Sequence, residues 1–156
     1  MSVDRLAELL RRRQPCVVLT GAGISTESGI PDFRSAEGIW ARYDPFEVAH
    51  IDALRRDPVR VWEFYALRLG ALAEAEPNDG HRALAELEES GWIRAVVTQN
   101  VDGLHERAGS HDVVEVHGSL HEAACMQCAA RVPMADAVES LPPPAPSVGN
   151  LSSRAS

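Results

Sequence analysis

Apolar residues recur at helical spacing across residues 4–13 (Leu6, Leu9, Leu10), with Asp4 at the start and Arg11, Arg12 and Arg13 at the end, both placed to suit a helix dipole. Pro15 stops that helix, and CVVLT, residues 16–20, reads as a short buried strand that meets a tight turn at Gly21. Residues 25–28 open a short helix limited by Pro31, while Gly38 and Pro45 predict an irregular connection, the kind that beside a turn of this sort serves as a working loop. From Pro58 the apolar period is helical again, through Val61, Phe64, Tyr65, Leu67, Leu69 and Leu72. Residues 77–80 break it, and residues 81–90 form a second amphipathic helix closed by Gly91. A strand over 92–98, a polar turn, a short helix over 101–108 and a strand over 112–116 follow. Strand, helices, strand, helix, strand is the rhythm of a parallel α/β sheet, whose ligands gather beyond the strand C-termini.

Composition narrows the partners. The chain has 156 residues, 45% hydrophobic, which suits one domain or most of one. A formal net charge of −8 argues against nucleic acid, whose binding needs clustered cations. All fifteen basic residues are arginine, so the chain offers no lysine for modification. No apolar run is long enough to span a membrane and the N-terminus lacks a signal-peptide pattern, so a cytoplasmic location is expected. Three cysteines make no secreted disulfide framework: Cys16 reads as a small buried hydrophobe, and Cys125 and Cys128 have the spacing of half a structural zinc site.

Three groups of residues carry candidate chemistry, each with a plainer reading beside it. Gly21 and Gly23 let backbone N–H groups approach a diphosphate, or simply form a strand-to-helix turn; the third glycine of a dinucleotide fingerprint is Thr26 here, and no P-loop Gly-Lys ending exists. Gln99, Asn100 and Asp102 suit ribose hydroxyls and a carboxamide, or act as turn formers and caps. His117, at a strand end before Gly118, suits a general base or a hydrogen-bonded structural role; His105 and His121 share that ambiguity, while His50 and His81 read as ordinary helix or loop residues. Tyr65 and Arg68 stand three apart on one helix and so share a face, where a phenol and a guanidinium would bind a carboxylate, unless they are a core-edge tyrosine and a surface arginine.

The motifs GAGIS, ESGIPDFR, TQNVDGLHERAG and VHGSL, in that order, resemble the sirtuins, NAD-dependent protein-lysine deacylases, over residues 17–128. The resemblance implies a Rossmann-like parallel-sheet fold that binds NAD, and acyl-lysine proteins as substrates. It matches Gly21, Ala22, Gly23, Ser25 and Glu27 to the turn around the NAD diphosphate and nearby sugar, and Asp32, Phe33 and Arg34 to a mobile loop over the nicotinamide end. Gln99, Asn100 and Asp102 match the nicotinamide-ribose and carboxamide pocket, Asn100 being counted with the catalytic residues, and His117 matches the general base. The implied products are free lysine, nicotinamide and O-acyl-ADP-ribose. FYxxR at Tyr65 and Arg68, followed by EPNxGHRAL, resembles the subgroup that removes succinyl and malonyl groups, with acetyl-lysine also a substrate.

Two departures bear on that expectation. The family's second cysteine pair has no counterpart near PPPAPSVGN, so Cys125 and Cys128 would bind zinc weakly or not at all. The change to LSSRAS reads as a truncated or frame-shifted end, and the fold is expected to be incomplete: the first part of the NAD-binding domain over residues 1–120, a remnant of the zinc module over 121–140, and a disordered proline-rich tail over 141–156. The alternatives are a non-catalytic remnant that binds part of a nucleotide or a partner, and an unrelated dinucleotide-dependent oxidoreductase.

Overall fold

The computed structural model describes residues 2–125 and 128–139, which form two compact units. The expected tail over 141–156 lies outside the described residues. The first unit joins residues 2–42 to 71–119, and the second joins 43–70 to the described part of 120–139. The second unit therefore takes in a helical segment that the expected division at residue 120 had placed with the NAD-binding part.

The chain opens with α1 (Val3–Arg13), capped by the Ser2 hydroxyl, which accepts from the Arg5 N–H at 3.3 Å. β1 (Cys16–Thr20) follows and runs into a 3-10 turn over Ala22–Ser28, longer than the expected 25–28. Beyond two short helices and α4 (Pro58–Glu74), which belong largely to the second unit, the first unit resumes with the end of α4, then α5 (Asp79–Glu89), β2 (Ile93–Thr98), α6 (Leu104–Arg107) and β3 (Val113–Glu115). The sheet has the order β1-β2-β3, and both pairings are parallel, so β2 is central.

Period-two alternation assigns the two faces of this sheet. Leu19, Val97 and Val114 are register partners on one face, and Val18, Val96 and Val113 on the other. Val96 is fully buried and Thr98, two residues on, is 3% exposed, which marks the second face as the core side. β1 is less buried than the expected buried strand. Val17 is 61% and Leu19 68% exposed, and Val114 and Val116 are 50% exposed, so this face of the sheet stays open among the described residues.

Local chemistry explains the remaining boundaries. α5 starts at Asp79, ahead of the expected residue 81, because Asn78 caps it: its side chain accepts from the Gly80 and His81 N–H groups, and the His81 ring accepts from the Asn78 N–H. Gly91 ends the helix at φ +76°, donating to Glu88 while Trp92 donates to Leu87. α6 is only four residues long, shorter than the expected 101–108, because polar side chains upstream capture the backbone. The Thr98 hydroxyl accepts from the Asn100 N–H at 3.0 Å, Asp102 accepts from the Leu104 N–H at 3.1 Å, and Gly103 takes φ +66°.

In the second unit the expected irregular stretch becomes α2 (Pro45–Val48) and α3 (Ile51–Arg56), capped by Asp44 and His50. Most of α4 (Pro58–Glu74) follows; the buried apolar residues are Val48 in α2, Ala53 in α3, and Val61 and Phe64 in α4. β4 (Glu122–Ala124) pairs antiparallel with β5 (Arg131–Pro133) ahead of α7 (Met134–Glu139). Among the described residues no helix is long and apolar enough to cross a membrane.

Candidate active site

A cavity of about 730 Å³ lies at the C-terminal ends of β1 and β2, within the first unit. Its walls include Gly21, Ala22, Gly23, Asp32, Phe33, Arg34, Gln99, Asn100 and His117, so the structure brings together most of the residues the sequence singles out. Leu19, Thr20, Ile24 and Trp40 also line it, and these the sequence reading passed over.

The glycine turn is open toward this cavity. Gly21 has φ −152° and ψ −172°, an extended conformation that any residue adopts, so its backbone does not demand glycine. A Cβ added at Gly21 or Gly23 would meet no atom of the chain within 4 Å. Neither position is small because the chain's own packing requires it, and what both leave clear is close access to the backbone, the access a diphosphate uses. The turn therefore fits the phosphate end of a dinucleotide.

The neighbouring loop is folded on itself. Ile39 and Trp40 donate their N–H groups to the Asp32 and Phe33 carbonyls at 2.9 and 3.0 Å, and the Phe33 and Trp40 rings lie 5.2 Å apart. Gly38 is required here, since a Cβ would come within 2.7 Å of Asp32 Oδ1 and 2.8 Å of its carbonyl oxygen. Asp32 accepts from the Ser35 N–H at 2.9 Å, and hydrogen bonds from the Ser35 backbone and then its side chain hold the carboxyl below its ordinary value, only partly offset by burial.

Two turns meet at the cavity floor. The Gln99 N–H donates to the Thr20 carbonyl at 3.1 Å, and the Asn100 amide donates to the Gly21 carbonyl at 3.2 Å. His117 Nδ1 lies 3.1 Å from the Gln99 carbonyl oxygen. That oxygen can only accept, so Nδ1 carries the proton, and in the neutral form of the ring Nε2 is the bare nitrogen. β3 ends at Glu115, so the strand period that would align Glu115 with His117 does not extend that far.

Ser25, Glu27 and Asp102 are not among the lining residues. Glu27 is exposed, whereas Ser25 is 1% exposed and belongs to a buried polar network under the floor. The Ser25 hydroxyl donates to Asp102 at 2.7 Å, accepts from the Asn100 amide at 3.0 Å, and lies 3.4 Å from His81 Nε2. His81 Nδ1 accepts from the Asn78 N–H at 3.3 Å, which leaves its proton on Nε2 facing Ser25. His105 Nε2 lies 2.9 Å from the Thr20 hydroxyl, and the two histidine rings pack edge to face at 4.9 Å. Sequence reading passed over His81, yet its position three and four residues before Leu84 and Ala85 puts it on the inner face of α5, a usable signal.

Burial, above all, pushes both histidines below their ordinary value. At His81 the His105 ring and Arg82 add to this and Asp102 opposes it; at His105 Asp102 and Glu106 oppose it. A histidine with a lowered folded-state value binds fewer protons folded than unfolded just below about pH 6.5, so stability rises with pH there. The melting temperature is expected to fall by several degrees as pH drops from about 7.5 to about 5.5, and His81→Gln is expected to flatten that slope. Calorimetry across this range checks it.

Tyr65 and Arg68 lie on α4 in the second unit, both half-buried against Phe64. The Tyr65 ring is 5.5 Å from that of Phe64, and the Arg68 guanidinium carbon is 5.8 Å from its centroid. Cys125 and Cys128 sit in the turn after β4, where the Cys125 N–H donates to Ala130 and the Ala129 N–H to Cys125. Two thiolates do not close a tetrahedral zinc site, and the described residues bring no third His, Cys, Asp or Glu to a common point, so the donor set does not fit structural zinc.

Comparison with known proteins agrees with this geometry. Residues 21–150 match the Sir2 family. An NAD-dependent protein deacylase of Aeropyrum pernix is 47% identical over 145 residues, covering 93% of this chain and 59% of the relative. NAD-dependent protein deacylase 2 of Pyrobaculum aerophilum is 49% identical over 146 residues, covering 94% and 59%. Among solved structures, a Sir2 variant with a deacetylated p53 peptide and 3′-O-acetyl ADP ribose superposes with a TM-score of 0.84 at 41% identity, over 91% of this chain and 57% of that one. A Sir2 homolog–NAD complex gives 0.75 at 44% identity, over 85% and 52%. The chain thus spans somewhat more than half the length of these relatives. With the parallel sheet, the glycine turn and the strand-end histidine all in place, the chain belongs to the Sir2 family.

Proposed function

We propose that this chain carries the nicotinamide-ribose end and the catalytic base of an NAD-dependent protein-lysine deacylase. The observation that carries the reading is the single cavity in which the open glycine turn, the Asp32–Arg34 loop, the amide of Asn100 and a histidine with a bare Nε2 converge. NAD supplies a ribose carbon with nicotinamide as its leaving group. The chain's part is to hold the diphosphate over Gly21 to Gly23, to close Phe33 and Trp40 over the nicotinamide end, and to accept a ribose hydroxyl proton at His117 Nε2. Asn100 keeps the two turns at a fixed separation while this happens.

The purified chain, given NAD and an acetyl-lysine peptide, is expected to release nicotinamide and free lysine in equal amounts, each requiring the other substrate. NAD binding without nicotinamide release would support the non-catalytic alternative, and hydride transfer would support an oxidoreductase.

Acidic acyl groups are the proposed preference. Supporting this, Tyr65 and Arg68 flank the same phenylalanine on α4, a pairing of phenol and guanidinium that recognises a carboxylate through charge-assisted hydrogen bonds. Arg68→Met is expected to reduce desuccinylation at least about 30-fold, the loss of one charge-assisted contact, while changing deacetylation less than about 3-fold. Equal losses on the two peptides would reject the assignment.

A further inference from the structure

His105 enters none of the roles above, although it is 1% exposed and lies directly under the cavity floor. Most buried polar side-chain atoms have a hydrogen-bond partner. Among the described residues His105 Nδ1 has none, and the same holds for Ser110 Oγ, whose backbone N–H donates to the His105 carbonyl at 3.0 Å.

Its other contacts lead to the site from two directions. Nε2 meets the Thr20 hydroxyl at 2.9 Å, and Thr20 is the last residue of β1, bonded through its carbonyl to Gln99 and followed by the Gly21 carbonyl that Asn100 grips. The ring edge packs on His81, whose proton on Nε2 faces Ser25. Ser25 gives its single proton to Asp102 and fills its two lone pairs from Asn100 and His81, so its hydroxyl has no capacity left over. If His81 turns or changes tautomer, Ser25 loses one of its two donors, and the hydroxyl that bonds both Asp102 and Asn100 is less firmly oriented.

We propose that His105 is a positioning residue for the NAD site, holding the end of β1 through Thr20 and the Ser25–Asn100–Asp102 floor through His81. This rests on the NAD-site reading above. The charged and titratable groups acting on the pair are Asp102 and Glu106 from the α6 segment and Arg82 from α5, so the arrangement holds while both rings are neutral.

Nuclear magnetic resonance on the full chain without ligand tests the proposal independently of turnover, using ring-nitrogen shifts for the tautomers and backbone amides for the floor. In the unmodified chain His81 is expected as the Nε2–H tautomer. His105→Leu and the milder Thr20→Val are expected to move the amide resonances of Gly21, Ser25, Asn100 and Asp102, and to weaken NAD binding about ten-fold, as for one buried hydrogen bond. His105→Gln, which keeps a polar group toward Thr20, is expected to restore most of the affinity. Floor resonances that do not move in Thr20→Val and His105→Leu would overturn the proposal, and if His105→Leu does not fold, Thr20→Val alone decides. Moved resonances in a chain that binds no NAD would instead keep the link from His105 to the floor and refute the NAD reading on which its purpose depends.

Discussion

His117→Tyr is expected to lower acyl-lysine turnover at least about 100-fold, the lower range of what a positioned general base contributes. The geometry gives the reason. The Gln99 carbonyl holds Nδ1–H, so the only basic lone pair is on Nε2, and the backbone that supplies this carbonyl is itself tied to Thr20. A tyrosine at this position has no lone pair of comparable basicity at neutral pH. The effect belongs to kcat and not to NAD affinity, since His117 is exposed and its loss leaves the Asn100 bonds intact. Single-turnover assays with NAD binding measured in parallel separate the two, and unchanged turnover would remove His117 from the role.

Asn100→Ala is expected to have the second-largest effect, and on binding and stability together. Asn100 is 7% exposed, and its amide is the shared donor to the Gly21 carbonyl and the Ser25 hydroxyl. Alanine leaves both acceptors short of a partner in a buried setting, a cost of about 1–3 kcal/mol. A melting temperature lower by several degrees and an NAD affinity lower by about ten-fold or more are the expected readings. Asn100→Asp is a sharper version, because it sets a carboxylate against the Gly21 carbonyl and near Asp102 while keeping the size of the side chain. An unaltered melting temperature and affinity in both variants would mean that the two turns are held together by other groups.

The parallel sheet was legible because its strands and helices announce themselves through period and punctuation: CVVLT before Gly21, IRAVVT before Gln99, and Asn78 and Gly91 at the two ends of α5. Residues 99–103 were harder, since a helical pattern there competes with side chains that capture backbone groups, and pattern alone does not weigh that competition. Burial of β1 was also beyond the pattern. An apolar strand says that one face is covered, and whether the second face is covered depends on elements elsewhere in the chain. At the site, the wall residues could be named from the motifs, whereas the Ser25–His81–His105 network under the floor joins segments as much as 85 residues apart, through hydrogen bonds that no local spacing encodes.

The convergence of Gly21 to Gly23, Asp32 to Arg34, Gln99, Asn100 and His117 on one NAD-binding cavity is the claim on which the rest depends. It is tested most directly by following the backbone amides and the His117 ring nitrogens of the full chain during titration with NAD. Saturable shifts confined to those residues and their immediate neighbours are predicted, with His117 Nδ1 remaining protonated. No saturable shift at millimolar NAD, or shifts centred elsewhere on the chain, would contradict it.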